Sequence, residues 1–162
     1  MAETGAFIQQ VINNLNHVVM HNWFEVKVNY EKISPSGVQK KVTESYLVDA
    51  LSHAEAEARA IEELKEYISG EFVISAVRRA KIGEMFFNKN GDRWFKAKVC
   101  FIALDYKSGV EKKTSVVMMA QACDIEEALC AIREGMKGTM EDYSISSVSE
   151  TQIHDIFVYG KA

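Results

Sequence analysis

The chain is predicted to be an α+β protein. It reads as a tandem duplication of a β-β-α-β unit forming one pseudo-twofold antiparallel-sheet domain, with an extra N-terminal helix. Three observations lead there. NWFEVKVNY (22–30) and RWFKAKVCF (93–101) alternate alike, with Phe24, Val26, Val28 and Tyr30 on one face and Phe95, Ala97, Val99 and Phe101 on its counterpart. GVQKK (37–41) and GVEKK (109–113) follow, one step apart in register because the second copy carries one more residue. FVISAV (72–77) then matches YSISSV (143–148), and IGEMF (82–86) matches IHDIF (153–157).

Taken in order, residues 6–20 come first. Ile8, Val11, Ile12, Leu15, Val18 and Val19 recur at helical spacing, with Gln9, Gln10, Asn13, Asn14 and Asn16 opposite. This segment has no counterpart in the second copy, so 1–22 reads as an extension and 23–162 as one duplicated domain. The copies run over 23–87 and 94–159 and are joined by a turn at 88–93. In each copy a strand leads through a short turn, SPSG or KSG, into a second strand that opens on Lys40-Lys41 or Lys112-Lys113.

Helix starts follow. Ser52 with Glu55, and Asp124 with Glu127, pair an N-cap with an acid three residues on. Ala56, Ala60, Leu64 and Ile68 make an apolar stripe, as do Ala128, Ile132, Met136 and Met140, and Gly70 and Gly138 mark the helix ends. A third strand follows, with a further short strand or bulge after Arg78-Arg79. Between the copies, Asn90-Gly91 predicts a tight hairpin, so the last strand of copy one should run antiparallel to the first of copy two. A copy of about 65 residues would be marginal by itself, which favours one domain over two beads.

Composition is that of a soluble globule, and a net charge of −4 weighs against sequence-blind nucleic-acid binding. Cys100, Cys123 and Cys130 form no CxxC pair and read as reduced thiols of a cytoplasmic protein. The N-terminus shows neither signal peptide nor any run long enough for a membrane span.

A search for chemistry is mostly negative. No phosphate loop, dinucleotide fingerprint, serine elbow or HExxH helix occurs. His17 and His21 stand one helical turn apart, but two histidines without further ligands read as solvated residues rather than a zinc site. His53 and His154 have no sequence neighbour that would make a nucleophile and base. Glu62-Glu63, Glu126-Glu127 and Glu141-Asp142 point apart on a helix and read as solvated faces. The reading leans away from an enzyme, with no cofactor and no metal.

What remains is basic and aromatic. Trp23 and Trp94, the only tryptophans, open the polar face of the matching strands, each with a lysine four positions on, Lys27 or Lys98. With Lys40, Lys41, Lys112 and Lys113 they form a candidate face for an anionic planar ligand such as a nucleotide. Lysine would answer phosphate and the ring would stack on the base. Against this stands the ordinary use of edge lysines to deter aggregation and of tryptophan to roof a sheet. Arg78, Arg79 and Lys81 face Ser149, Glu150 and Gln152 at the matching place in copy two. That asymmetry makes the cations a candidate partner surface, for a host protein, for nucleic acid, or for Glu150 of a second copy in a homo-oligomer.

WFEVKVNYEK, KKVTESYLVDALSHAEAEARAIEE, ISGEFVIS and FFNKNGDRWFKAKV together resemble a domain-of-unknown-function family of short proteins from gut bacteria and their phages. The resemblance runs from about Trp23 to Tyr159 and brings no activity or catalytic residue. It implies a small, non-enzymatic protein of phage or mobile-element type that binds a host protein or sequesters a nucleotide. The leading expectation is therefore a cytoplasmic, non-catalytic binding protein. Its alternatives are an accessory factor using Arg78, Arg79 and Lys81, or an enzyme with a dispersed site. A pocket joining His53 or His154 to an acid would be the sign of the last.

Overall fold

A computed structural model describes residues 22–159. The helix expected over 6–20, with His17 and His21, lies outside the described residues. The same order of elements runs twice, strand, strand, helix, strand, short strand. The chain divides into two compact units, one made of 22–81 with 152–159, the other of Ile82–Thr151.

In the first unit, β1 (Trp23–Ile33) and β2 (Gln39–Asp49) form a long antiparallel hairpin with Trp23 opposite Asp49 and Ile33 opposite Gln39. The turn closes on Gly37, whose φ of 83° only glycine adopts without cost. The helix α1 (His53–Tyr67) starts on Ser52, whose hydroxyl accepts the Glu55 amide at 3.1 Å. Its buried face is Ala56, Ala60 and Leu64. The two alanines let the helix lie close on the sheet, where Phe24, Val26, Val28, Tyr46 and Val48 complete the core.

β3 (Phe72–Ala80) pairs antiparallel with β1, and β8 (Ile153–Phe157) pairs parallel with β2, giving the order β3-β1-β2-β8. The register of β3 slips between Lys27 and Val28, where the Ser75 hydroxyl donates to the Lys27 carbonyl at 3.2 Å.

The second unit repeats this plan. β5 (Arg93–Leu104) pairs with β6 (Glu111–Ala122), and Gly109 closes their turn at φ 68°. The helix α2 (Ile125–Gly135) starts on Asp124, which accepts the Glu127 amide at 2.8 Å, and buries Ala128 and Ile132. β7 (Asp142–Glu150) slips against β5 between Lys98 and Val99, where Ser146 donates to the Lys98 carbonyl at 3.1 Å. β4 (Glu84–Phe86) pairs parallel with β6, so the order is β4-β6-β5-β7.

Three expectations are corrected. There are two four-stranded sheets rather than one sheet system, and each contains a parallel pair. The short strands are exchanged along the chain: β8, which follows β7, completes the sheet of β1–β3, and β4, which follows β3, completes the sheet of β5–β7.

The hairpin at Asn90-Gly91 is the second correction, because β6 stands between β4 and β5. The residues do turn, with the Gly91 amide donating to the Asn88 carbonyl and the Asn90 amide to Asn88 Oδ1. Neither adopts a positive φ, so the turn is not of the hairpin type. Gln121 anchors it by accepting the Asn88 amide and donating to the Gly91 carbonyl. A side chain at Gly91 would meet the backbone of Ala122.

Third, α2 ends at Gly135 rather than running on to Met140, which is 81% exposed. The ring of Phe86 occupies the space a Cβ on Gly135 would need, so close packing of β4 on the helix coincides with its end.

Candidate functional site

The core-facing row of β2 is Val42, Glu44, Tyr46 and Val48, and Glu44 breaks it with a carboxylate opposite Val28. Such a group needs partners. The Tyr30 hydroxyl donates to Glu44 Oε1 at 2.8 Å, and the Tyr46 hydroxyl donates to Oε2 at 2.5 Å. β8 then brings three further groups alongside, since Asp155 stands opposite Tyr46 and Phe157 opposite Val48. The Phe157 ring stacks on Tyr46 with centroids 5.4 Å apart, and His154 meets the same tyrosine edge-on at 5.5 Å. Tyr67, at the end of α1, stacks on Phe157 at 6.2 Å. The result is a cleft of about 510 Å³ with a carboxylate in it, aromatic walls, and Lys32 and Asp155 among its lining. That size suits a small organic ligand.

Burial pushes the Glu44 carboxyl up, but the Tyr46 and Tyr30 hydroxyls and the fields of His154 and Lys32 outweigh it and hold it below the usual range. The tyrosines move the other way. Burial and the Glu44 carboxylate push Tyr30 up to about 12, and they raise Tyr46 further. Near neutral pH the trio is one anion held by two intact hydroxyls.

The other unit lacks this arrangement at the matching places. Glu84 stands opposite Met118 as Asp155 stands opposite Tyr46. Phe101 therefore takes the place of Tyr30, Val116 of Glu44, Met118 of Tyr46, and Gly83 of His154. A Cβ on Gly83 would collide with Cγ1 of Val116. Where the first unit has an acid and an imidazole beside an opening, the second has a valine packed on a glycine.

The residues singled out for an anionic ligand are not brought together. Trp23 and Trp94 are 5% and 4% exposed, so neither offers a ring face for stacking, and Phe87 covers Trp94 edge-on at 5.5 Å. Lys41 stands opposite Glu31, roughly 26 Å along β1 from Trp23. Lys27 lies between, half-buried. Lys40 shares the face of Val42 and Glu44, away from Trp23. In the second unit Lys98 is exposed, Lys113 stands opposite Ile102, and Lys112 falls on the face of Val116. Arg78, Arg79 and Lys81 are exposed, but Arg78 stands opposite Glu25 and Arg79 opposite Phe24, so the two arginines leave β3 on opposite faces. Arg79 donates to Asn22 at 3.3 Å.

Among the described residues no group of His, Cys, Asp and Glu could hold a metal, and no helix is long and apolar enough to cross a membrane. Cys123 and Cys130 are exposed free thiols. Cys100 accepts or shares hydrogen bonds with Ser146 and Ser115, which draw its thiol below the ordinary range.

Sequence reasoning missed Glu44, Tyr30, Tyr46 and Tyr67. A signal was there: Val42, Glu44, Tyr46, Val48 and Ala50 alternate as a core face, and a lone acid in such a row is costly without a purpose. No curated protein and no solved structure matches the chain. Residues 22–159 match the family described as Domain of unknown function (DUF4494), a span that contains the whole cleft, and the chain belongs to that family.

Proposed function

We propose that the protein is a non-catalytic small-ligand-binding module whose site is the cleft around Glu44. The observation that carries this reading is the contrast between the units: Glu44 and His154 line an opening in one, and Val116 packs on Gly83 in the other. We read the repeated element order as a tandem duplication in which one copy kept a polar cleft and the other closed it. A fold that needed only stability would have no reason to retain a half-buried carboxylate in a core row.

The cleft joins His154 to Glu44 and Asp155, the sign set out above for an enzyme with a dispersed site, so that reading stays as the alternative. The state of the Glu44 trio favours binding. Glu44 is held below the usual carboxylate range and Tyr30 and Tyr46 above the usual phenol range. All three stand away from neutrality, where a general acid or base works best. The buried tryptophans argue against the lysine and tryptophan face as the ligand site. In this reading the protein is a sequestering factor of phage or mobile-element type, as its resemblance implies.

The test is release of bound material. Purified protein is heat-denatured and the supernatant analysed by mass spectrometry, beside the double variant Glu44→Val with His154→Gly, which copies the other unit. A small molecule released by the natural chain and absent from the variant is expected. Equal release from both would remove the cleft as the site.

A further inference from the structure

We infer that the cleft selects a small organic cation, an amine or a guanidinium on a flat or slender body; this rests on the reading that the cleft binds a ligand. The face that carries Glu44 shares the lining with Asp155, against the single lining lysine Lys32; Glu31 also borders the cleft but leaves β1 on the opposite face. An anion entering there would meet like charge at close range, and a cation would be drawn in.

Hydrogen bonding points the same way. Each Glu44 oxygen accepts one tyrosine hydroxyl, and an ionised carboxylate accepts about four hydrogen bonds. The remaining acceptor positions can take further donors, and a charged N–H gives the stronger bond. An anionic ligand, by contrast, would need donors, and the two hydroxyls are already committed to Glu44. It would be left with Lys32 and His154.

The walls supply the third argument. Tyr46, Phe157 and Tyr67 form a stacked aromatic run, and its outer ring, Tyr67, is 66% exposed in the lining that holds Glu44. A ring face next to a carboxylate is a recurring arrangement for holding a cation, because the ring quadrupole and the anion attract the same charge. The same unit already uses this chemistry: the Arg59 guanidinium lies 3.5 Å over the Tyr159 ring while pairing with Glu55.

Calorimetric titration of the full chain with tyramine and agmatine decides it. The neutral alcohol that replaces the tyramine amine with a hydroxyl, and adenosine monophosphate, serve as uncharged and anionic comparisons. At least one cation is expected to bind, with the neutral and anionic probes at least about tenfold weaker. Glu44→Gln should weaken that cation by about tenfold or more while the circular dichroism stays native. Tyr67→Ala, at an exposed position, should weaken it too without threatening the fold. If the alcohol or the nucleotide binds as tightly as the cations and Glu44→Gln still disturbs it, the cation inference falls and the binding reading stands. If no probe of any charge binds and no molecule is released on heating, both fall.

Discussion

The Tyr46 hydroxyl donates to Oε2 of Glu44 at 2.5 Å from two residues away on the same strand, so both side chains leave β2 on its core face. Tyr46 is 3% exposed, and water cannot readily replace Glu44 as its partner. Glu44→Val should therefore destabilise the unit containing β1–β3 by about 1–3 kcal/mol, the cost of a buried hydroxyl left without a partner. Urea denaturation measures it. Tyr46→Phe and Tyr30→Phe should each cost about 1–2 kcal/mol, because the carboxylate keeps one donor in either case.

The same trio makes stability depend on pH at both ends. Glu44 has a folded-state pKa below its unfolded one, so its contribution is present above the unfolded value of 4.5 and is lost as pH falls through the folded one. Tyr30 has its folded pKa pushed up to about 12 from 10.0, so its contribution is present below pH 10 and is lost between about 10 and 12. Denaturation midpoints for the natural chain and Glu44→Gln should converge as the pH falls below 4.5 and through the folded value. In the alkaline range, Tyr30→Phe should flatten the decline.

A methyl group distinguishes the two clefts. Gly83→Ala drives a Cβ into Val116 and should cost about 1–2 kcal/mol through overpacking. His154→Ala, at the matching position of the open cleft, should change stability by less than about 0.5 kcal/mol, since His154 is exposed. Thermal unfolding of the two variants checks the contrast.

The tryptophans give a direct optical test of where the sheets are dry. Trp23 and Trp94 are both buried, so emission should be blue-shifted and poorly quenched by acrylamide, and adding nucleotide should leave the quenching unchanged. Red-shifted, readily quenched emission would contradict their burial and revive the lysine and tryptophan face.

Most local structure was legible from residues that act alone or with close neighbours. Ser52 and Asp124 cap their helices as their side chains dictate, and Gly37 and Gly109 turn their hairpins. The partners of IGEMF and IHDIF were not legible. A strand of three or five residues carries too little pattern to name its neighbour, and the exchange depends on which edge each strand reaches. Asn90-Gly91 misled for a related reason: a turn sequence specifies local backbone, and Gln121 with β6 decided what lay on either side. The cleft was half legible. The acid at 44 stood out of its row, but His154 and Phe157 arrive from more than a hundred residues downstream. Trp23 and Trp94 looked solvated because alternation assigns one wet face to a strand, whereas the start of each is buried on both.

The most direct test of the central claim is a thermal-shift panel of small molecules on the natural chain and on the double variant Glu44→Val with His154→Gly. The account predicts that at least one small ligand raises the midpoint of the natural chain and leaves the folded double variant unmoved. A ligand that stabilises both proteins alike, or a natural chain that responds to nothing, would contradict the assignment of the Glu44 cleft as the binding site.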